Sequence, residues 1–256
     1  MSTRPLVLAH RGASAYAPEN TFAAFDLALE MGAPGLETDV RATADGQLVL
    51  LHDERVDRTT NGTGRVAEMA LAQVQALDAG SWKGPEFAGE RIPTLAAFLG
   101  RYGRRALLRL EVKAPGIESA LLETGRAAGL LSDVEFSSFA WEAVARLCSL
   151  TPGARVGWLV QAVDAQIIAR AAAAGVRFLS ARAETLGPEA LRHGREAGLE
   201  VGAWGVQDDG LLARVVALGV DAFTSNWPDR ALKLLAAGPA GAAAGTPDQP
   251  VPPAET

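Results

Sequence analysis

A chain of 256 residues with 48% hydrophobic and 21% charged residues is long enough to bury a sizeable core, so disorder is not its default state. Its formal net charge of -6 argues against a nucleic-acid partner, because phosphate backbones are bound through clustered Lys and Arg. No uninterrupted apolar run approaches the roughly 20 residues of a membrane span, which argues against stable membrane insertion.

The first apolar run, residues 6–9, reads as a strand and ends on His10-Arg11-Gly12. It is too short for the apolar core of a secretory signal, and the chain is expected to be cytoplasmic. Pro18-Glu19-Asn20-Thr21 then precedes an apolar helical stretch that begins near Phe22. Asn20 or Thr21 is the expected cap there, and Glu19 is a candidate for orienting a catalytic group. Residues 35–40 and 47–52 form two further strands, joined only by Arg41-Ala42-Thr43-Ala44-Asp45-Gly46. A parallel pair needs a crossover of about a dozen residues or more, so the second folds back as an antiparallel partner around Asp-Gly.

Residues 53–93, rich in Gly, Thr, Asn and Asp with a helical patch at 71–77, read as a small excursion on the rim, in which Asn61, Gly62 and Gly64 serve turn geometry. Strands follow at 106–112, 134–138, 155–160, 176–180, 199–206 and 221–225, separated by Ala/Leu-rich stretches of helical period. Cys148 lies in one of these beside Val144, Leu147 and Leu150 and reads as a small core hydrophobe, and His193 between Arg192 and Gly194 reads as solvent-facing. From Gly238 the chain is Ala, Gly, Pro and Thr without a period, which predicts a disordered, functionally silent tail over 238–256 after one domain of residues 1–237. Setting the antiparallel strand aside leaves eight parallel strands, the count of a closed (β/α)8 barrel, a fold that commonly occupies about 250 residues. No feature of the sequence sets an oligomeric state.

In such a barrel the reacting side chains stand at the C-terminal ends of the strands, and the charged residues concentrate there. His10 and Arg11 close the first strand, Glu37 and Asp39 share one face of the second, and Glu111 and Lys113 share one face of the next parallel strand. The hairpin returns His52 opposite Glu37 and Thr38. Carboxylates about 4 Å apart at an effective dielectric of ~20 repel by roughly 4 kcal/mol per pair. Glu37, Asp39 and Glu111 outnumber Arg11 and Lys113, and an anionic substrate deepens the deficit, so a divalent cation is expected. Oxygen-only ligands favour Ca2+ or Mg2+ over zinc. Two imidazoles beside a phosphodiester can act as base and acid, with one held protonated beside the carboxylates. Trp204, at a strand end, is a candidate wall for the substrate pocket.

These residues resemble those of the glycerophosphodiester phosphodiesterase family. The likeness runs through His10-Arg11-Gly12, Pro18-Glu19-Asn20-Thr21, Glu37-Thr38-Asp39-Val40 and Leu51-His52-Asp53. It continues through Asp57-Arg58-Thr59-Thr60-Asn61-Gly62-Thr63-Gly64, Arg91-Ile92-Pro93-Thr94-Leu95 and Glu111-Val112-Lys113, with weaker echoes at Ser137-Ser138-Phe139, Ala203-Trp204-Gly205-Val206 and from Asp221 to Pro228. The resemblance implies a TIM barrel with a small insertion after the second strand and its hairpin. It also implies His10 and His52 as the acid-base pair, Glu37, Asp39 and Glu111 as metal ligands, and Arg11 and Lys113 as phosphate contacts. The implied reaction splits a glycerophosphodiester into sn-glycerol 3-phosphate and an alcohol, through attack of a glycerol hydroxyl on phosphorus and a cyclic phosphate that water opens. Gln207 stands where that family commonly has Asn, and Thr224-Ser225-Asn226 where Thr-Asp is frequent; both departures are expected at the rim, where they would bear on the alcohol. A lysophospholipase D, and a catalytically silent phosphoester-binding barrel, are the alternative readings.

Overall fold

The computed structural model describes residues 4–237, so the tail expected over 238–256 lies outside the described residues. The chain runs through β1 (Leu6–His10), α1 (Phe22–Glu30), β2 (Gly35–Ala42), β3 (Leu48–Leu50), α2 (Leu71–Ala76), α3 (Leu95–Tyr102), β4 (Leu107–Val112), α4 (Glu118–Ala127) and β5 (Val134–Ser138). It continues through α5 (Trp141–Leu150), β6 (Arg155–Val160), α6 (Ala165–Ala173), β7 (Phe178–Arg182), α7 (Pro188–Glu196), β8 (Glu200–Val206), α8 (Asp209–Leu218), β9 (Ala222–Ser225) and α9 (Pro228–Ala237). The strands are hydrogen-bonded in the order β1-β9-β8-β7-β6-β5-β4-β2-β3, and β1 also pairs with β2. Every pairing is parallel except β2–β3, so eight strands close into a (β/α)8 barrel and β3 hangs on the outside of β2 as the hairpin partner.

Short polar caps start the helices where the apolar period begins. Thr21, Thr94, Asp164 and Asp208 each accept a backbone N–H from the first turn, satisfying donors that have no partner inside the helix. Along β2 the alternation is strict. Leu36 and Val40 enter the apolar layer between sheet and helices, while Glu37 and Asp39 turn into the barrel. Phe25 of α1 meets Phe98 of α3 at 4.7 Å between ring centroids, and Phe98 meets Tyr102 at 5.2 Å, sealing that layer beneath the site.

Three strands differ from the sequence reading by two residues at an end: β2, which runs on to Ala42, β3 and β7. The ladder of β3 stops at Leu50, although Leu51 N–H still donates to Asp39 O at 3.0 Å and His52 O accepts from Arg41 Nε at 2.8 Å. The seventh strand begins at Phe178 rather than at 176, because Val176 N–H is taken by Ala171 O at the exit of α6. The excursion between β3 and α3 has its own apolar cluster of Val49, Leu51, Val56, Val66, Val74, Ala79 and Ile92. Among the described residues no helix is long and apolar enough to cross a membrane.

Candidate active site

The first strand ends in a turn whose geometry depends on Gly12. Its φ is +84°, and a Cβ there would lie 2.5 Å from the carbonyl carbon of Ala24, so the loop could not close on α1 with any other residue. Arg11 before it adopts φ +56°, a conformation uncommon outside glycine, and Asn20 adopts φ +58°. Both strained positions serve the site. Arg11 places Nε 3.1 Å from Asp39 Oδ2 and Nη1 3.0 Å from Glu19 Oε1. Thr21 alone is the cap. Asn20 is buried, donates from Nδ2 to Asp39 Oδ2 at 3.0 Å and accepts from Thr38 Oγ1 at 2.7 Å.

Parallel register then assembles the acids. His10 pairs with Glu37 across β1–β2, and Asp39 pairs with Glu111 across β2–β4, so residues distant in sequence share one level of the barrel mouth. Glu37, Asp39 and Glu111 are all buried and offer one oxygen each within 4.8 Å of one another. Lys113 Nζ stands 2.8 Å from Glu111 Oε1 and 3.5 Å from Asp39 Oδ1. Even so, Asp39 Oδ1 and Glu111 Oε1 receive no well-aligned hydrogen bond, and both are buried. Buried carboxylate oxygens without aligned donors, in an all-oxygen set, are what a hard divalent cation takes as ligands.

The fields in the cluster follow from this crowding. Burial, then Asp39 and Glu111, push the Glu37 carboxyl well above the usual range. Burial likewise pushes Glu111 up to about 7, against the pull of Lys113. Asp39 goes the other way: burial opposes its ionisation, but Arg11 and Lys113 outweigh burial and keep it below the usual carboxylate range.

Both imidazoles are anchored through Nδ1. His10 Nδ1 lies 2.7 Å from Asn226 Oδ1 and its Nε2 lies 3.9 Å from Glu37 Oε2; His52 Nδ1 lies 2.7 Å from Asp53 Oδ1. An amide or carboxylate oxygen at Nδ1 accepts its proton and leaves Nε2 for exchange. Burial and the neighbouring Arg11 lower His10 to about 3, and burial lowers His52 despite Asp39. Desolvation thus works against the imidazolium of both histidines, opposing the attraction of Asp39.

Trp204 is half-buried near the mouth, with indole Nε1 donating to Val160 O at 3.0 Å and its ring edge-on to the exposed Phe139 at 5.2 Å. Lys113 Nζ lies 5.8 Å from the Phe139 centroid, which ties this aromatic wall to the charged cluster. The sequence reading did not single out Phe139 as a site residue. It also placed Asn226 at the rim, whereas Asn226 is the partner of His10; Gln207 is exposed there as expected. Asp53 and Arg58 were missed as well, although their motifs Leu51-His52-Asp53 and Asp57-Arg58-Thr59 were visible. His193 is exposed and Phe22 packs near Tyr102 at 6.1 Å, so neither joins the site. Cys148 is half-buried and burial raises its thiol, which suits packing rather than nucleophilic attack.

Residues 10–230 match the sequence profile of the glycerophosphoryl diester phosphodiesterase family. The glycerophosphodiester phosphodiesterase of Caldanaerobacter subterraneus subsp. tengcongensis is 35% identical over 241 residues, covering 92% of this chain and 99% of that protein. YhdW of Bacillus subtilis strain 168 is 39% identical over 240 residues, covering 89% and 96%. A solved phosphodiesterase of Oleispira antarctica, in complex with the product sn-glycerol-3-phosphate, is similar with a TM-score of 0.83 at 33% identity, covering 90% of this chain and 96% of that one.

Proposed function

This chain belongs to the glycerophosphoryl diester phosphodiesterase family and is a phosphoric diester hydrolase, and from that premise we propose that it splits small glycerophosphodiesters into sn-glycerol 3-phosphate and an alcohol. In this reading Glu37, Asp39 and Glu111 hold a divalent cation, Ca2+ or Mg2+, and His10 and His52 move the protons. The observation that carries it is the meeting of three buried carboxylates with two imidazoles whose Nδ1 atoms are both engaged. The cation, when bound, supplies charge neutralisation and polarises the phosphoryl oxygens.

Arg11 and Lys113 attract the phosphodiester anion, and Trp204 walls the mouth beside it. His10, backed by the neutral Asn226, stays uncharged and takes the proton of the attacking glycerol hydroxyl at Nε2 as that oxygen bonds to phosphorus. His52, backed by the anionic Asp53, is the better place for an imidazolium, and once the substrate anion is bound it gives its Nε2 proton to the leaving alkoxide as the P–O bond breaks. Opening the resulting cyclic phosphate reverses the roles. His52 takes a proton from the attacking water, His10 returns its proton to the glycerol oxygen, and both imidazoles regain their starting states.

Release of choline from glycerophosphocholine tests this. Turnover is expected to vanish with a chelator and in His10→Ala and His52→Ala, and absence of turnover on every glycerophosphodiester tried would sink it. Faster turnover of lysophosphatidylcholine than of glycerophosphocholine would favour the lysophospholipase D reading instead.

A further inference from the structure

We propose that Arg58, carried by the excursion, is a positioning residue that locks His52 and Arg11 into one unit through Asp53 and Glu19. The assignment of roles to His52 and Arg11 rests on the function proposed above; the geometry does not.

One guanidinium holds two carboxylates. Arg58 Nη1 and Nη2 donate to Glu19 Oε2 at 2.7 Å and Oε1 at 2.9 Å, while Nε and Nη2 donate to Asp53 Oδ2 at 2.7 Å and Oδ1 at 3.2 Å. Each carboxylate passes the constraint on. Asp53 Oδ1 accepts from His52 Nδ1 at 2.7 Å, and Glu19 Oε1 accepts from Arg11 Nη1 at 3.0 Å. A planar fork gripping two carboxylates at fixed angles is something Arg does and Lys, a single ammonium, does not. The line of contacts from His52 to Arg11 thus joins β3's exit to β1's exit, two segments that share no backbone ladder beyond their common neighbour β2.

The bland account is that Arg58 merely anchors the excursion. The excursion has other anchors: its own apolar cluster, which includes Val49 of β3, Lys83 Nζ donating to Ser14 O at 2.8 Å, and Ala44 N–H of the hairpin turn donating to Met69 O at 2.9 Å. Arg58 is also partly open, with 26% of its side chain exposed. Its two partners, by contrast, each touch a residue of the site.

The test compares Arg58→Lys and Arg58→Ala with the wild-type chain in Mg2+, reading kcat and KM for glycerophosphocholine alongside histidine 15N NMR. The expected result is a fall in kcat on the order of 10–100-fold in both variants, as is usual for groups that orient a reacting residue. The His52 Nδ1–H signal is lost while the His10 signal stays, and Asp53→Asn added to Arg58→Ala brings no further loss. Added guanidinium restores part of kcat to Arg58→Ala and ammonium does not. Should Arg58→Ala fail to fold, Arg58→Lys and Asp53→Asn carry the comparison. A folded Arg58→Lys with kcat and KM within about twofold of wild type, or fully additive losses with Asp53→Asn, overturns the proposal. If the wild-type chain turns over no glycerophosphodiester, the functional reading fails on its own; an unchanged His52 signal in Arg58→Ala then overturns the positioning role separately.

Discussion

His10 Nδ1 and Asn226 Oδ1 meet at 2.7 Å across 216 residues of sequence, so the first and last strands of the barrel jointly set the tautomer of one imidazole. Burial and Arg11 already keep that imidazole neutral, down to about 3. Replacing Asn226 by Asp puts a negative charge behind Nδ1 and favours the imidazolium. The base form is then lost at higher pH, and the acid limb of kcat/KM moves upward in pH. Asn226→Ala removes the acceptor, lets the tautomers mix, and is expected to lower kcat on the order of 10-fold. A pH–rate profile of both variants checks the pair.

Cation binding should be proton-linked. Burial raises Glu111 to about 7 and raises Glu37, so protons compete with a cation for the same oxygens. Affinity for Ca2+ or Mg2+ is expected to rise as pH rises through neutrality, measured by calorimetry in two buffers of different ionisation enthalpy. The same shift has a stability sign. A carboxyl whose folded pKa lies above its unfolded value gives stability that is present below about pH 4.5 and is lost as pH rises through about 7. In the cation-free chain this contribution therefore falls across that window, and added cation offsets it; melting curves against pH with and without Mg2+ read the difference.

Beneath the acids lies a buried ion pair that makes a sharper stability prediction. Arg109 Nε and Nη2 donate to Glu135 Oε2 at 2.9 and 2.6 Å, with both residues almost wholly buried, and Arg109 also lies 4.2 Å above the Phe178 ring. Glu135→Gln leaves a buried guanidinium without its counter-charge and is expected to cost about 3–5 kcal/mol. Urea unfolding should show the midpoint fall, whereas kcat measured well below the transition should change little.

Trp204 and Phe139 should act on binding more than on chemistry. Trp204→Ala removes the ring that stands edge-on to Phe139 and the indole that donates to Val160 O. The expected outcome is a KM raised on the order of 10-fold with kcat less affected, the pattern of lost uniform binding. Steady-state kinetics on glycerophosphocholine and glycerophosphoethanolamine checks it, and Phe139→Ala should alter the ratio of the two substrates.

Much of this was legible in the residues. Apolar runs of strand length separated by helical periods specify eight parallel strands, and the six-residue link before Gln47 forces a hairpin, because no crossover fits in so short a piece of chain. The period of two puts Glu37 with Asp39 and Glu111 with Lys113 on inward faces, and a barrel collects such faces at one end. The misses share a cause. Asn20 looked like a helix cap and Asn226 like a rim residue, since each role was judged from neighbours in sequence.

The sequence by itself determined the barrel, the acids and the two histidines, because local period and strand length act over a few residues at a time. Only the tertiary structure decided which groups stand behind those histidines. Asn226 reaches His10 when β9 closes on β1, and Arg58 bridges Glu19 and Asp53 when the excursion folds over the mouth. A hydrogen-bond partner is set by where the closed ring brings two backbones together, and that information is spread over the whole chain.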